Sequence, residues 1–398
     1  MRLLHTADWH FGRTLEGRSR MEEHEAFVDE LVRLADESDV DAVLLAGDVY
    51  DSVNPPADAE TLFYEALTRL SDGGRRPVVA IAGNHDHPDR LSAAAPLARK
   101  TGVTLVGLPT TDTVTFDCRR TGERAVVYAL PYPSESRLKE LLSAEADEQA
   151  LQQAYSERIA KLVRDATEAK FTSDTVNVIM SHLYALGGSP TESERPIEVG
   201  GAYTVDPSAF GATAQYAALG HLHRPQEVRR RGDGPGPLIR YCGSPLGFSF
   251  SEVGQAKTVS IVDVAPGGAP RLEEIPLSCG RPLVRWIAKG GLADVHRWFD
   301  EGRDARAWID LELHLTDSLS MEQIQGLRRA RDGLVLIRPV FAREAEAASA
   351  KAEAALSIRE LFERFYMRQT GGAVPDEPLV RLFLELVREE EDAEEESA

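Results

Sequence analysis

The sequence predicts a mixed α/β (α+β) fold in which two facing sheets are flanked by helices, followed by a small α/β domain and a C-terminal pair of helices. Three observations carry this. Short apolar runs of β type alternate with amphipathic helical stretches from residue 1 to about 105. A long helical pattern over about 134–170 is followed by further strands through Val264. Five of the apolar runs end in short motifs rich in Asp, Asn and His, the strand-end position where α/β proteins usually carry their sites.

The elements follow in order. Arg2–Thr6 reads as a short strand, and Asp8-Trp9-His10 comes directly after it. Residues 21–38 place Phe27, Val28, Leu31, Val32 and Ala35 at helical spacing. Ala42–Leu45 has the continuous apolar character of a buried strand, after which Gly47 permits a tight turn that presents Asp48. A helix over 58–72 lies between Pro55-Pro56 and Gly73-Gly74. Val78–Ile81 is a strand ending in Gly83-Asn84-His85-Asp86, and residues 90–101 form a third helix. Strands are expected at Val103–Val106, 114–116 and 125–130. Residues 176–180 lead to Ser181-His182, and 216–219 to Gly220-His221-Leu222-His223. Residues 232–237 are a hairpin loop, and 265–270 a turn before a strand at 272–276. A boundary falls near 280, followed by strand Leu283–Ala288, helix 292–299, strand 307–315, helix Met321–Ala330 and strand 335–340.

Five motifs carry the chemistry. They offer two Asp, one Asn and four His as possible metal ligands, with one further His left over. In an extended segment residues i and i+2 face the same side, so Asp8 and His10 can grip one ion. Carboxylate, amide and imidazole donors without thiolate suit Mn²⁺, Fe or Zn²⁺. Asp48 is the candidate bridge between two ions about 3.5–4 Å apart, where a shared hydroxide would attack phosphorus in line. The bland alternative is real: Asp, Asn and Gly are ordinary turn residues, and a lone His at a strand end is usually structural. Five of the ten histidines fall within these motifs, and that joint occurrence decides for a metal site. The other five, His5, His24, His87, His296 and His314, read as structural, with His5 and His87 close enough to support the ligands.

The order D-x-H, GD-x-x-D, GNHD, H and GH-x-H resembles that of the calcineurin-like metallophosphoesterases. Within them the finer resemblance is to the SbcD-type nuclease subunits. It rests on Thr6-Ala7-Asp8-Trp9-His10-Phe11-Gly12, Ala46-Gly47-Asp48-Val49-Tyr50-Asp51, Ala82-Gly83-Asn84-His85-Asp86, Ser181-His182-Leu183, Leu219-Gly220-His221-Leu222-His223-Arg224-Pro225-Gln226 and Tyr241-Cys242-Gly243-Ser244-Pro245. These strings cover the first two thirds of the chain; the remainder matches by order and helix pattern. The resemblance implies an αββα sandwich. One ion would be held by Asp8, His10, Asp48 and His223, the other by Asp48, Asn84, His182 and His221. His85 would be catalytic, stabilising the transition state or protonating the leaving oxygen, with Asp86 orienting it. It further implies two divalent ions with Mn²⁺ expected. The activity would be double-strand exonuclease and single-strand or hairpin endonuclease, in a DNA end-processing and repair complex. The partners would be DNA ends and hairpins and an SbcC-like coiled-coil ABC ATPase. A homodimer would form through early helices, with Leu62, Phe63, Ala66, Leu70, Leu91 and Leu97 as candidate contacts. Phosphoprotein phosphatases of this fold read DRG after the second motif and GNHE at the third; here Ser52-Val53 and Asp86 stand instead. The arginine that would clamp a phosphomonoester is absent, which fits a diester cleaver. The rival classes are a cyclic-nucleotide or nucleotide-ester phosphoesterase, against which the C-terminal third counts, and a non-enzymatic scaffold, against which the intact ligand set counts.

The predicted organisation is 1–280 nuclease domain, 281–343 capping domain that helps position DNA, 344–356 linker, 357–391 helix pair and 392–398 acidic tail. The helix pair carries two stripes: Ile358, Leu361, Phe362 and Phe365, then Leu382, Phe383, Leu386 and Val387. After a flexible linker these are expected to dock on a partner helix. No GxxxxGK[ST] string occurs, so an ATPase must come from another chain. The net charge of −20 is unfavourable for a chain that binds DNA alone. Part of it lies in the acidic tail, and Arg13, Arg18, Arg20, Arg224, Arg229, Arg230 and Arg231 gather near the motifs as candidate DNA contacts. No apolar run approaches a membrane span, and the chain enters a strand at once, so no signal peptide is expected. Three widely spaced cysteines, Cys118, Cys242 and Cys279, fit a reducing cytoplasm.

Overall fold

The computed structural model describes residues 1–134, 137, 148–194, 203–230, 234–316, 318–341, 359, 362–363, 366 and 375–384. In chain order the elements are β1 (Arg2–Thr6), the short hairpin β2 (Thr14–Leu15) and β3 (Arg18–Ser19), α1 (Met21–Glu37), β4 (Ala42–Leu45), α2 (Ala57–Leu70) and β5 (Val78–Ile81). Next come α3 (Pro88–Ser92), α4 (Ala95–Ala98), β6 (Val103–Val106), β7 (Thr113–Asp117), β8 (Arg124–Leu130), α5 (Glu148–Thr167), β9 (Thr175–His182), β10 (Tyr184–Ala185) and β11 (Thr204–Val205). Then follow β12 (Tyr216–Gly220), β13 (Gln226–Val228), β14 (Leu238–Tyr241), β15 (Thr258–Asp263) and β16 (Arg271–Pro276). The last are β17 (Leu283–Ala288), α6 (Leu292–Asp300), β18 (Trp308–Leu315), α7 (Met321–Ala330) and β19 (Leu334–Phe341).

Two six-stranded sheets dominate, ordered β16-β15-β1-β4-β5-β6 and β13-β14-β12-β9-β8-β7. The central strands of each run parallel: β1, β4, β5 and β6 in one, β8, β9, β12 and β14 in the other. Strand alternation divides each sheet between two cores. Leu3, Leu44 and Ile81 share one buried cluster with Val127, Met180 and Ala218, so those faces meet. Leu4, Val43 and Leu45 lie on the opposite face, under Phe27 and Leu31 of α1 and Phe63 and Leu67 of α2. Tyr128, Ile179 and Leu219 lie under Tyr155, Ile159 and Val163 of α5. The layer order is α, β, β, α, as expected. Each such Leu, Ile or Phe removed from water contributes about 1.5–3 kcal/mol, and the parallel strand ends are held rigidly on one edge.

The chain divides into two compact units, one of Met1–Arg285 with Asp304–Asp310 and Asp332–Leu336, the other of the remaining C-terminal residues. The first unit thus reaches past 280. Trp308 explains why: it is buried with Leu15, Phe250 and Val335, its indole N–H donates to Glu23 Oε2 at 2.9 Å, and the Arg281 guanidinium lies 3.7 Å over its ring. In the second unit Trp286 is buried beside Trp298 and Phe299, at 5.1 and 6.0 Å between ring centres. A three-stranded sheet ordered β17-β18-β19, with α6 and α7, supplies the five elements expected between 282 and 341.

Four expectations need correction. The helix expected over 90–101 is two short pieces and a 3₁₀ turn, because Pro96 cannot continue a helix begun before it. Helix α2 ends at Leu70, since Asp72, Gly73 and Gly74 all have positive φ. Leu62, Phe63, Ala66, Leu70 and Leu91 are core residues; of the proposed dimer contacts only Leu97 is exposed, at 71%. Arg20 is buried and paired to Glu23, so it cannot meet DNA. The start of the helix at 134–170, the loop at 231–233, the linker, the tail and most of the C-terminal helix pair lie outside the described residues. Where that pair is described, the Phe362 and Phe383 rings stack at 4.1 Å, so the two apolar stripes cover each other at that point.

Candidate metal centre

The five strand-end motifs converge on the C-terminal edges of the two facing sheets. Beyond β1 and β4 the chain continues as a paired ribbon: Asp8 N donates to Gly47 O, His10 N to Asp48 O, and Phe11 N to Val49 O, at 2.9–3.0 Å. The side chains do not point inward by simple alternation. Asp8, His10 and Asp48 have φ of 55°, 46° and 49°, and His221 has 106°, so four candidate ligands sit in left-handed backbone. The expected extended geometry for Asp8-x-His10 is therefore corrected. Such conformations cost about 1–3 kcal/mol each and cluster at functional sites. Gly83 is required by close approach, since a Cβ there would lie 2.0 Å from Asp48 Oδ1.

Asp8, His10 and His223 each offer a ligand atom within 4.8 Å of the others, as do Asp8, Asp48 and His182. Asp48 Oδ2 stands between His182 Nε2 at 3.4 Å and His10 Nε2 at 3.6 Å. Asn84 Oδ1 is 2.9 Å from His182 Nε2. His10 Nε2 and His223 Nε2 face each other at 3.1 Å. The His221 ring centre lies 5.5 Å from that of His182, and its backbone N–H donates to Asp8 Oδ1 at 2.9 Å. A third group, His10, Asp51 and His85, flanks these.

The centre is buried, and burial sets its electrostatics. Burial, with Asp48 close by, pushes the Asp8 carboxyl well up. Burial acts the same way on Asp48, but His182, His85 and His10 reverse it and hold Asp48 well below the usual carboxylate range. Burial lowers His10 and His223, and takes His221 to about 3. Burial opposes a charge on His182 as well, yet the neighbouring Asp48 raises it to about 9. The neutral imidazoles of His10, His221 and His223, with His182 once an ion displaces its proton, stand around the buried Asp48 carboxylate; that is a donor set a divalent cation takes, so these residues fit the implied metals.

The remaining site residues are placed as follows. His85 is half-buried, with its ring centre 4.8 Å from that of His10. Its Nδ1 lies 2.7 Å from Asp51 O, and its backbone N–H donates to Asp48 Oδ1 at 2.9 Å. Asp86 does not orient His85. Its carboxylate accepts from the backbone N–H groups of Val49, Tyr50 and Gly83 at 3.1, 3.0 and 2.8 Å, tying together the turns that carry Asp48 and Asn84. Burial and Asp48 raise it to about 6. His5 bonds the Tyr216 hydroxyl between the sheets at 2.8 Å, His87 accepts from Arg90 N, and His24 is buried against Phe11.

Several residues at the centre carry no motif. Phe248 packs edge-on to His10 and His223, with Arg13 4.7 Å above its ring. Lys257 Nζ donates to His223 O at 3.0 Å. Ser193 Oγ lies 2.6 Å from His223 Nδ1, and Glu194 Oε1 accepts from His223 N at 2.8 Å. Ser193 and Glu194 lie in a polar loop that follows the Ser181-His182 motif, Phe248 and Lys257 lie beyond the last ligand motif, and no local pattern marks these four.

Fold and donor set define a metallophosphoesterase centre, and comparison with known proteins agrees. Residues 1–225 match the calcineurin-like phosphoesterase family, and 279–370 match a domain described as the type 5 capsule protein repressor C-terminal domain. The chain is 52% identical to the SbcD subunit of nuclease SbcCD from Bacillus subtilis, over 99% of this chain and 100% of that one. It is 37% identical to the SbcD subunit of Rhodobacter capsulatus, covering 73% and 72%, and 30% identical to that of Escherichia coli K12, covering 92% of each. The chain belongs to the calcineurin-like phosphoesterases, in the branch formed by the SbcD subunits of nuclease SbcCD. Among the described residues no helix is long and apolar enough to cross a membrane.

Proposed function

We propose that this chain is the metal-dependent DNA-cleaving subunit of an SbcCD-type end-processing and repair complex. It is a hydrolase of phosphodiester bonds, acting as exonuclease on double strands and as endonuclease on single strands and hairpins. The observation that carries this reading is the convergence of Asp8, His10, His223, Asp48 and His182 at one edge of two facing sheets. Two divalent ions, Mn²⁺ in the cell, would be held by Asp8, His10, Asp48 and His223 on one side and by Asp48, Asn84, His182 and His221 on the other. Bound there, such ions lower the pKa of water and offset charge on the phosphoryl oxygens.

The chain's own residues do the rest. Asp48, held ionised, is the shared ligand. A carbonyl only accepts, so His85 Nδ1–H donates to Asp51 O, which leaves Nε2 for the substrate. From there His85 stabilises the transferring phosphate or protonates the leaving oxygen. Asp86 acts on the backbone of the Asp48 and Asn84 turns, not on the His85 ring.

The organisation follows the same reading: a nuclease domain over 1–280, a DNA-positioning cap over 281–343, a linker over 344–356, a helix pair over 357–391 that binds an SbcC-like coiled-coil ABC ATPase, and an acidic tail. The chain works in the cytoplasm as a homodimer, with Leu97 the exposed candidate on the dimer face. The test is end-labelled linear duplex DNA with Mn²⁺, beside His85→Ala. Degradation is expected and should fall about 10²–10⁴-fold in the variant. Equal degradation by His85→Ala would remove the role given to His85. No degradation even with the partner ATPase present would remove DNA as substrate.

A further inference from the structure

His223 is gripped by a loop that no motif marks. Ser193 Oγ lies 2.6 Å from His223 Nδ1, and Thr191 Oγ1 lies 2.8 Å from Ser193 Oγ. Glu194 Oε2 accepts from Thr191 Oγ1 at 2.6 Å and from Thr191 N at 2.7 Å. Glu194 Oε1 accepts from His223 N at 2.8 Å, which closes a ring of hydrogen bonds on one histidine. Ser193 is buried, and its carbonyl accepts from Arg13 at 2.9 Å, which ties the loop to the chain leaving β1.

The directions of these bonds are forced. A carboxylate only accepts, so the Thr191 hydroxyl must donate to Glu194. A hydroxyl has one proton, so Thr191 Oγ1 must accept from the Ser193 hydroxyl. The Ser193 proton is then committed, and its oxygen must accept from His223 Nδ1–H. The chain of donors runs from imidazole to serine to threonine to carboxylate, and it leaves the Nε2 lone pair of His223 free. Nε2 is the atom that faces His10 Nε2 at 3.1 Å inside the metal centre.

We propose that Thr191, Ser193 and Glu194 are positioning residues that fix the Nδ1–H tautomer of His223 and so set how tightly the centre holds its metal. Outer partners of ligating histidines do this through a carboxylate or carbonyl directly. Here the carboxylate acts through two hydroxyls, and the same carboxylate anchors the ligand's backbone. The inference rests on the two-ion reading of the centre, but its first test needs neither bound metal nor DNA cleavage.

Histidine-selective ¹⁵N labelling of the metal-free chain reads the tautomer. Wild type is expected to hold His223 as Nδ1–H, and Ser193→Ala to show a mixture or the Nε2–H form. Titration with Mn²⁺ alone, followed by calorimetry and by electron paramagnetic resonance, reads the affinity. Ser193→Ala and Thr191→Val should weaken it about 10–100-fold, while Ser193→Thr, which keeps the hydroxyl, should stay close to wild type. Matched circular dichroism and melting temperatures separate this from loss of fold. An Nε2–H tautomer in wild type, or a tautomer and Mn²⁺ affinity unmoved in Ser193→Ala, would overturn the proposal. A wild-type chain that shows the Nδ1–H tautomer but takes up no Mn²⁺ would overturn the metal-holding role, and would mark the two-ion reading as what failed.

Discussion

Replacing Gly83 by alanine tests whether the centre is held to the tolerance its chemistry needs. An added Cβ would lie 2.0 Å from Asp48 Oδ1 and 2.3 Å from Asp48 N, and ordinary contact begins at 3.4 Å. The carboxylate must therefore retreat by about 1.4 Å, and the backbone that carries it cannot stay in place either. Asp48 has nowhere easy to go. It is buried, its Oδ1 accepts from His85 N at 2.9 Å, and its Oδ2 sits between His182 and His10. The φ of Gly83 is not in the left-handed region, so alanine meets no conformational penalty and the effect is steric alone. Overpacking of this kind costs about 1–3 kcal/mol of stability. A displacement of about 1 Å in a reacting group costs about 10²-fold in rate. The assay is kcat/KM on a small chromogenic phosphodiester with Mn²⁺, with metal stoichiometry by calorimetry and melting temperature in parallel. We expect a rate loss of about 10²-fold or more, weakened binding of at least one ion, and a melting temperature lower by a few degrees. Wild-type kcat/KM with two ions bound would refute the claim that Asp48 is the shared ligand held in place by this turn.

Two predictions concern the scaffold. Glu23 accepts from Arg20, from Arg281 N at 2.6 Å and from Trp308 Nε1 at 2.9 Å, so Glu23→Ala leaves a buried guanidinium without its partner; a loss of about 3–5 kcal/mol should appear in the urea midpoint, and an unchanged midpoint would count against the anchor. Glu30 takes bonds from Ser278 N, Ser278 Oγ and Cys279 N, and although burial pushes its carboxyl up, these bonds bring it below its ordinary value. A lowered carboxylate stabilises above its unfolded pKa of about 4.3 and loses that contribution as pH falls further. Thermal melts should therefore separate Glu30→Gln from wild type at pH 7 and bring the two together below about pH 4; a constant gap would show that the charge is not what matters.

Legibility in the sequence followed how local each cause was. The five motifs could be read because strand, turn glycine and ligand are neighbours in the chain, and their order excludes chance. The break at Pro96 is also local, but the helical spacing on either side of it masks the break in the sequence. Other features had no local cause. Asp86 stands next to His85 in sequence, which suggested that it orients the ring. The turn sends its carboxylate back to the N–H groups of Val49 and Tyr50, more than thirty residues upstream. Arg13 and Arg20 looked equivalent, yet one lies over Phe248 beside the ligands and the other is buried against Glu23. Ser193 reaches His223 only because separate strands bring their loops to one edge. The left-handed backbone of Asp8, His10, Asp48 and His221 has no legible local signal either: Asp and His enter that region more often than most side chains, but only as a minority conformation. At about 1–3 kcal/mol for each of the four, that strain is comparable with the net stability of a whole domain, about 5–15 kcal/mol. It persists because two buried sheets fix the strands below while ribbon hydrogen bonds and the Asp86 carboxylate fix the turns above. A scaffold that overdetermines its loops this strongly can hold buried carboxyl and imidazole groups against one another before any cation arrives, the preorganisation that a metal-activated hydrolysis needs.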